Sequence, residues 1–447
     1  MSLRTLYLCY FGLREPLVQT QVLPYLRQLS ASGEVKVFLL TFEPDKRRTW
    51  TAQEEADWRA RLARDGIRWF SLPYHKSPSV LVTPYDILNG AWTAARLARR
   101  HRIDVLHARG HLPMAMALLA RRWARVRLLF DIRGLLAEEY EEAGVWQKGS
   151  PQSRAIHAVE RAGLKRAGQL IVLTRRLRNH LVEGKLARAE RIEVIPCCVD
   201  FARFGATPEG TADGGRSADE SDGGASAPEG ARPSSSSASS SRDAAARFEV
   251  VSAGSVTGLY LLEEMGRFFL ALKRQRPDAY LRILTMSSPE QAAATLARVG
   301  LAAEDFWIGA VRPAEVPAYL RRARLGLSFR KATFSQIAAS PTKIPEYLAA
   351  GLPTVCNAGI GDTDELLTRS RTGIIVQDFD ERTLNEAARA ALALADDAEA
   401  SARCVEAAHR HFDLVSVGGV GYRNAYRRLA KEGAGALVTS ETPGARG

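Results

Sequence analysis

Short apolar runs alternate with helical segments along most of this sequence, and that alternation limits the fold more than any other feature. In the first part of the chain the apolar runs are TLYLCYF, VKVFLLTF, IDVLHAR, VRLLFDIRG, QLIVLTRR and RIEVIP. In the second part they are FEVVSAGS, YLRILTM, DFWIGAV, LGLSFR, PTVCNAG and GIIVQDF. Apolar strands separated by helices are typical of a parallel sheet with helices on both faces. The sequence therefore predicts an α/β protein with two Rossmann-like domains, whose ligands bind at the carboxyl ends of the strands.

A segment of different composition divides the two blocks. Residues 205–246 are GATPEGTADGGRSADESDGGASAPEGARPSSSSASSSRDAAA, in which Gly, Ser, Ala and Asp dominate. Such a segment cannot bury enough apolar surface to offset the entropy lost on ordering, so we predict a disordered linker or insertion. We expect domains at residues 1–204 and 247–410, a C-terminal helix at 411–432 and a disordered tail at 433–447.

Composition indicates a globular protein of a reducing compartment. Of the 447 residues, 46% are hydrophobic and 25% are charged, which excludes wholesale disorder. No apolar run reaches the roughly 18 residues of a membrane-spanning helix. The apolar start LYLCYFG is expected to be a buried strand rather than a signal peptide, because no small-residue cleavage site follows it. The five cysteines include no C-x-x-C pair, so we predict reduced, buried thiols and a cytoplasmic location.

The positive charge is concentrated in the first half of the chain. Residues 1–204 contain 34 Lys and Arg against 20 Asp and Glu, a net charge of +14, and the remainder has a net charge of −2. This asymmetry predicts that the first half meets something anionic, and an Arg-rich composition without such a partner is the alternative. Two stretches mix Trp with Arg, residues 92–102 and 121–127. Because Trp favours the membrane interface, both are candidate contacts with an anionic membrane.

The most informative stretch is SPTKIPEYLAAGLPTVCNAGIG, residues 340–361. Ser340 suits the N-cap of a helix at residues 341–350, whose free N–H groups attract phosphate. Lys343 would add a positive charge in the first turn, and Glu346 would lie one turn later on the same face. A carboxylate there can accept hydrogen bonds from ribose hydroxyls, so the pair suits a nucleoside diphosphate. The alternative is an ordinary surface ion pair.

This stretch resembles glycosyltransferase family 4, whose members are retaining enzymes of GT-B fold with two Rossmann-like domains facing across a cleft. The family typically has two glutamates separated by seven residues, followed by a small-residue helix end and Gly-x-Pro. Glu346 matches the second glutamate, which binds the nucleotide ribose in the family, whereas the first falls at Ala338. VIPCCVDFARF is similar to the family's hinge motif, with Cys197 and Cys198 in place of Asn-Gly.

The resemblance assigns roles to residues on both walls of the cleft. Those implied for catalysis are Lys343, Arg330 and Arg109. Those implied for donor binding are Glu346, Gly254, Ser255, Ser340 and Gly359. Those implied for acceptor binding are His107, Asp131, Arg133 and Gly12. In GT-B enzymes the last helix crosses back to the first domain, which the resemblance implies for residues 411–432.

The function implied is transfer of a sugar, with retention of configuration, from a nucleotide-sugar donor to a lipid-linked, polysaccharide or other cell-envelope glycan acceptor. The first domain would bind the acceptor, at the cytoplasmic face of the membrane. No metal or other cofactor is expected, because Arg330, Lys343 and the helix N-terminus can stabilise the departing diphosphate.

Three alternatives stay open. The first is a sugar-nucleotide epimerase or another GT-B enzyme that has no acceptor. The second is an NAD-dependent Rossmann enzyme, although no G-x-G-x-x-G follows any of the apolar runs. The third is a nucleic-acid-binding protein, suggested only by the basic first half. We expect no nucleic acid partner, because aromatic residues are not interleaved on the strands and the basic residues fall mainly on helices.

Overall fold

A computed structural model describes residues 2–44, 50–75, 79–204 and 247–438. Within these ranges thirteen strands form two parallel sheets. The first sheet has the strand order β3-β2-β1-β4-β5-β6-β7 and the second has the order β10-β9-β8-β11-β12-β13. Each order reverses its direction beside the first strand of its domain, which is where ligands of open parallel sheets bind.

The strands of the first domain are β1 (Leu3–Cys9), β2 (Val35–Pro44), β3 (Ile67–Tyr74), β4 (Val105–Arg109), β5 (Arg127–Ile132), β6 (Gln169–Val172) and β7 (Ile192–Val194). Its helices are α1 (Pro16–Gln21), α2 (Leu23–Ala31), α3 (Ala52–Arg64), α4 (Ser79–His101), α5 (His111–Ala120), α6 (Leu136–Glu142), α7 (Pro151–Arg166) and α8 (Arg175–Glu183). Buried side chains on both faces of this sheet form two apolar cores, as expected for a sheet covered on both sides.

The strands of the second domain are β8 (Phe248–Ala253), β9 (Ala279–Leu284), β10 (Phe306–Gly309), β11 (Leu325–Ser328), β12 (Thr354–Asn357) and β13 (Gly373–Val376). Its helices are α9 (Leu262–Gln275), α10 (Pro289–Arg298), α11 (Val316–Arg322), α12 (Lys343–Ala349), α13 (Thr363–Ser370), α14 (Glu381–Asp396) and α15 (Ala400–Phe412). A last helix, α16 (Val420–Val438), follows a π-helical turn and packs on the first domain. This is the GT-B architecture that the sequence predicted.

The chain crosses between the domains twice, side by side. Ile195 and Cys198 pack in a core of the first domain, whereas Val199 packs in a core of the second. The N–H of Val199 donates to the carbonyl of Phe412 at 2.8 Å, and the N–H of Leu414 donates back to Val199 at 3.1 Å. These bonds tie the outgoing crossing to the returning one. The first domain therefore ends a few residues before position 204, where we had expected it to end.

One predicted helix is interrupted near the N-terminus. The stretch QTQVLPYLRQLSAS, residues 19–32, has the sequence pattern of one helix, but it is divided at Val22, whose φ of −124° and ψ of −63° are not helical. Pro24 lies in the first turn of α2, where the missing N–H costs no hydrogen bond. The sequence signal therefore marked a helix start inside what we had taken for one helix.

The C-terminal helix also differs from the prediction. The segment expected at 411–432 is divided between α15 and α16, because the crossing back to the first domain falls at Asp413, which pairs with Val199. α16 continues to Val438, beyond the start predicted for the tail. Residues 205–246 and 439–447 lie outside the described residues, so the linker and the rest of the tail stay predictions.

Candidate active site

The second-domain wall of the cleft begins where β8 ends, at Gly254. This glycine has a φ of +104°, a conformation that L side chains rarely adopt. A Cβ atom built on it would lie 3.6 Å from Cε and 3.8 Å from Nζ of Lys343. The lysine side chain therefore lies directly across the bare backbone at the carboxyl end of the strand. Ser255 follows with an exposed side chain, 3.4 Å from the hydroxyl of Thr257.

Lys343 is the first residue of α12 and is only 4% exposed. Among the described residues its Nζ atom has no hydrogen-bond partner, and it lies 4.4 Å from the centre of the Tyr260 ring. Burial, reinforced by the positive charge of Arg330, lowers the pKa of Lys343 to about 7. The nearby Glu346 carboxylate only partly offsets this effect, and a buried ammonium group without a hydrogen-bond partner is costly, so this side chain is suited to meeting an anion that enters the cleft.

Arg330 follows β11 and is held in place by three elements. Its guanidinium donates to the side-chain oxygen of Gln336 at 2.8 Å and to the Tyr260 hydroxyl at 2.9 Å. Its backbone N–H donates to the side chain of Asn357, at the end of β12, at 2.8 Å. The guanidinium carbon lies 4.7 Å from the centre of the Tyr260 ring, so one aromatic ring contacts both cations. Tyr260 therefore fixes the spacing of the positive charges.

Glu346 lies one turn after Lys343 and faces the hinge. It accepts a hydrogen bond from the guanidinium of Arg203 at 3.0 Å, and its side chain is 18% exposed. Burial raises the pKa of Glu346, and the neighbouring Arg203 opposes that rise. Arg203 lies in the 3-10 turn Phe201–Arg203, just after the crossing between the domains. Sequence analysis missed this partner, because the two residues are far apart along the chain.

The remaining second-domain candidates have structural surroundings. Ser340 is not the N-cap of α12, which begins two residues later than expected, with Thr342 as its N-cap. Ser340 instead accepts a hydrogen bond from the N–H of Cys197 in the first crossing, at 3.0 Å. Gly359 has a φ of +87°, and its N–H donates to Asp364 at 2.9 Å. Ala338, the position of the missing glutamate, is fully buried against a core of the first domain.

On the first-domain side, four predicted residues form one cluster beside α16. His107, Arg109 and Asp131 are buried in it, whereas the Arg133 side chain is 13% exposed. The Tyr422 hydroxyl of α16 donates to Asp131 at 2.9 Å, and the Tyr426 hydroxyl lies 2.9 Å from Nδ1 of His107. One carboxylate oxygen of Asp131 lies 3.5 Å from Nη1 of Arg133, and the other lies 3.7 Å from Nη1 of Arg109.

Charge balance in this cluster sets its protonation states. Burial alone would raise the pKa of Asp131, but Arg133, His107 and Arg109 hold it well below its usual value. Burial lowers the pKa of His107, so the imidazole is neutral at pH 7. Both His107 and Asp131 are fully buried, so either would need α16 to move before it could touch an acceptor. The acceptor roles predicted for them are not favoured by this placement.

Gly12 and the acidic helix α6 complete the first-domain wall. A Cβ atom on Gly12 would lie 2.7 Å from the Pro44 ring, so this glycine allows close packing of the loop after β1 against β2. Glu142 of α6 accepts a hydrogen bond from the N–H of Ser335 in the second domain at 3.1 Å. Burial raises the pKa of Glu139, and the positive charge of Arg330 partly offsets this. α6 was not predicted from the sequence, although the run AEEYEE, residues 137–142, is rich in residues that favour helices.

Further contacts close the cleft beside this helix. The Thr174 hydroxyl donates to the carbonyl of Ile337 at 2.5 Å. The N–H groups of Arg175 and Arg176 donate to the Asp362 carboxylate at 2.7 and 3.1 Å. The expectation of no metal also rested on the absence of an Asp-x-Asp sequence, which was wrong, because Asp362 and Asp364 form one; Asp364 pairs with Arg176 at 3.0 Å. Within the described ranges, no group of three or more His, Cys, Asp or Glu side chains could hold a metal ion.

Comparison with known proteins places both domains. Residues 18–198 match the family described as glycosyl transferase 4-like domain, and residues 255–397 match the family described as glycosyl transferases group 1. No curated protein matches the sequence.

Solved structures share the fold over nearly the whole chain. Sucrose-phosphate synthase from Thermosynechococcus elongatus is 16% identical with a TM-score of 0.63, over 96% of this chain and 100% of that one. HepE from Anabaena, solved with UDP-glucose, is 13% identical with a TM-score of 0.61, over 96% and 99% of the two chains. A glycosyltransferase from Rickettsia africae is 11% identical with a TM-score of 0.61, over 96% and 98%. With both domains matched and the two sheets arranged in this way, the chain belongs to the GT-B glycosyltransferases of the family 4 type.

Proposed function

We propose that this enzyme transfers a sugar from a nucleotide-sugar donor, with retention of the anomeric configuration, and that the donor diphosphate binds between Gly254 and Lys343. The observation that carries this proposal is the buried Lys343 amine, which has no hydrogen-bond partner among the described residues. It lies next to the backbone of Gly254, which has no side chain to fill the space between them. A diphosphate at this point would supply the missing anion. The solved structure of HepE with UDP-glucose favours a uridine nucleotide as the first ligand to test.

Two cations would stabilise the leaving group. As the sugar–phosphate bond breaks, negative charge accumulates on the diphosphate oxygens. Lys343 and Arg330 lie on the same Tyr260 ring, Lys343 is buried and Arg330 is held by hydrogen bonds to Gln336 and Tyr260, so they require little reorganisation when that charge appears. The departing phosphate would itself take the proton of the acceptor hydroxyl. Arg109 is kept as a prediction for contact with the transferred sugar.

Glu346 would accept hydrogen bonds from the ribose hydroxyls. Its ionised form is required, because only a carboxylate offers acceptors on both oxygens. Arg203 supports that form by opposing the effect of burial. The backbone at Ser255 and Gly359 would border the donor, as predicted from the sequence.

The acceptor is proposed to be a lipid-linked or other cell-envelope glycan that is bound by the first domain, with Gly12 and Arg133 near its path. The net charge of +14 in residues 1–204 supports an anionic partner there. We further propose that the enzyme works in the cytoplasm, against the inner face of the membrane, and without a metal. In the part of the chain that the structure describes, none of the helices is long and apolar enough to span a bilayer.

The test is a thermal-shift screen of nucleotide sugars with the full-length enzyme. A true donor at about 100 times its Kd should stabilise the fold by about 2.7 kcal/mol. The Lys343→Ala variant should lose most of this stabilisation, whereas Arg382→Ala, on the exposed face of α14, should retain it. If no nucleotide sugar raises the Tm, the donor assignment is wrong.

Turnover of the identified donor then separates transfer from epimerisation. Product analysis by NMR, with chelator present, reports the anomeric configuration, the acceptor dependence and the need for metal in one experiment. An inverted product, or a requirement for added Mg²⁺, would contradict the mechanism proposed here.

A further inference from the structure

Helix α4 presents an apolar stripe to solvent. Tyr85, Leu88 and Trp92 are each 57% exposed, although large apolar side chains normally lie inside. Their spacing of three and four residues places them on one face of the helix. The opposite side of α4 packs in a core of the first domain through Ala91, Ala94 and neighbouring residues. The stripe is therefore an outward face of a helix that the core holds in place.

The same face continues as a row of arginines. Arg96 and Arg99 follow Trp92 at intervals of four and three residues and are exposed. The Arg96 guanidinium lies 5.0 Å from the centre of the Trp92 ring. We call these five residues, Tyr85, Leu88, Trp92, Arg96 and Arg99, the α4 face. Three of the five side chains are aromatic or aliphatic and two are positively charged.

A second basic segment lies beyond the neighbouring helix. α5 packs beside α4, and the residues after it, Arg121, Arg122, Trp123 and Arg125, are exposed. Between positions 79 and 127 the sequence has only two acidic residues, Asp86 and Asp104. Asp86 is fully buried and Asp104 accepts the N–H of Arg4. Between positions 79 and 127, the two carboxylates are thus either buried or bonded to the backbone.

The apolar end of the face lies towards the cleft. Asp86, beside Tyr85, accepts a hydrogen bond from the Tyr10 hydroxyl at 2.8 Å. Tyr10 directly follows β1, at the carboxyl end of the sheet and two residues before Gly12. Because α4 leads into the parallel strand β4, it begins at this edge and runs away from it. A surface bound at the apolar end would therefore adjoin the loops that border the cleft.

We propose that the α4 face docks on the surface of an anionic lipid bilayer. Trp and Tyr favour the headgroup region, Leu88 can enter the acyl boundary, and the arginines can pair with lipid phosphates. A nucleic acid would leave Leu88 without an apolar counterpart. The proposal rests on the proposed function only in that the acceptor would reach the first domain from that surface.

The test is co-sedimentation of the full chain with vesicles. One vesicle is phosphatidylcholine alone and the other contains equal parts of phosphatidylcholine and phosphatidylglycerol. The charge variant is R96E/R99E and the apolar variant is L88S/W92S. Matched controls are R298E/R382E, on exposed helices of the second domain, and L186S/M286S, at exposed apolar positions elsewhere. Each variant is first checked for an unchanged melting temperature.

The wild type and both controls should bind the anionic vesicles at low salt and bind them more weakly, but still measurably, at high salt. Each arginine near an anionic surface contributes about fivefold in partition, so R96E/R99E should bind at least about 25-fold more weakly. L88S/W92S should lose the binding that remains at high salt. The tryptophan emission of the wild type should shift to the blue on vesicles, and that of L88S/W92S should shift less, because the chain has seven tryptophans and only the difference reports Trp92. Equal binding to both vesicles, or wild-type binding by both variants, would overturn the proposal. So would retention on duplex DNA that α4 variants abolish while vesicle binding is absent.

Failure here can be separated from failure of the donor assignment. Stabilisation by a nucleotide sugar is measured without lipid and does not involve the α4 face. A chain that responds to the donor but ignores anionic vesicles retains the proposed function and loses this inference. A chain that binds vesicles through α4 but responds to no nucleotide sugar gives the reverse result.

Discussion

At the scale of single residues, the cleft contains charges placed where the fold does not need them. The Lys343 amine is buried without a hydrogen-bond partner among the described side chains, and the Glu346 carboxylate is bonded to Arg203. Buried polar groups of this kind reduce stability unless a ligand completes them. Both residues should therefore show their role as a difference between the free and the ligand-bound enzyme.

Replacing Lys343 by Met should stabilise the free enzyme in a pH-dependent way. The pKa of this amine falls from 10.5 to about 7 on folding, so the unfolded state binds more protons between those values. The penalty is fully present below about pH 7 and disappears as the pH rises towards 10.5. Lys343→Met should thus be more stable by a few kcal/mol at pH 7, and nearly equal at pH 10. Urea unfolding at both pH values checks this; a constant difference would show that the amine is not buried as a cation.

Replacing Arg203 by Ala should shift the acid limb of the activity profile to higher pH. Without the guanidinium, only the weaker effect of Lys343 opposes burial, so the pKa of Glu346 rises further and the carboxyl group loses its proton only at higher pH. kcat/KM for the donor should therefore fall most at low pH, and Arg203→Lys should recover part of the loss. Arg321→Ala, which removes only a bond to the Phe204 carbonyl, is the matched control. Equal loss at every pH would indicate a purely structural role.

At the scale of elements, the decisive contact is that of α16 with the first sheet. Two tyrosines of α16 contact the sheet. Tyr422 hydrogen-bonds to the charged Asp131. Tyr426 hydrogen-bonds to two neutral groups, Thr5 and His107. Hydrogen bonds to charged groups are worth about 1.5–3 kcal/mol, against about 0.5–1.5 kcal/mol for neutral ones. The two tyrosines are thus a natural comparison within one helix.

Tyr422→Phe should destabilise the enzyme more than Tyr426→Phe. The first substitution leaves a buried carboxylate with one donor fewer, whereas the second removes bonds between neutral groups. We expect losses of roughly 2 and 1 kcal/mol respectively, measured by denaturant unfolding. The reverse order would mean that Asp131 is satisfied by the arginines alone.

The sequence predicted most of the strands but only some of the helices. The strands with continuous apolar runs were predicted, because a strand that is buried on both faces consists mainly of apolar residues. The edge strand β3, the helices α3, α6, α7, α8 and α13, and nearly all of α15 were not predicted. β3 carries a mixed sequence, IRWFSLPY, because an edge strand is only partly covered. The break at Val22 and the turn at Leu414–Gly419 depend on tertiary contacts that no local window contains.

At the scale of the whole molecule, the two domains are joined by the paired crossings and by hydrogen bonds across the cleft. The Asp362 carboxylate accepts hydrogen bonds from two backbone N–H groups of α8, and Glu142 accepts one from a backbone N–H of the second domain. The Asp362 bonds are exposed, whereas the Glu142–Ser335 bond is partly buried, and Ala338 of the second domain packs in a core of the first. Because interdomain interfaces with polar contacts commonly permit relative motion, we expect the domains to move relative to each other during donor binding.

Deleting residues 210–240 should leave folding and transfer nearly unchanged. The prediction follows from composition, since a Gly/Ser/Asp-rich segment contributes little apolar surface. Changing the length of a flexible loop costs only about 0.6 kcal/mol per twofold change. The deletion variant should match the wild type in Tm and donor turnover. Loss of folded protein would show that the segment takes part in the structure.

The sequence by itself determined the two parallel sheets, the division of the chain and the stretch that carries Lys343 and Glu346. These follow from burial, composition and helix start signals, which are local properties of the chain. Only the tertiary structure decided which charges meet. It brought Arg203 to Glu346 and Tyr260 between Arg330 and Lys343, and it buried His107 and Asp131 beneath α16. The physical reason is that pairing and desolvation depend on distance in space, and residues far apart along the chain give no local signal of it.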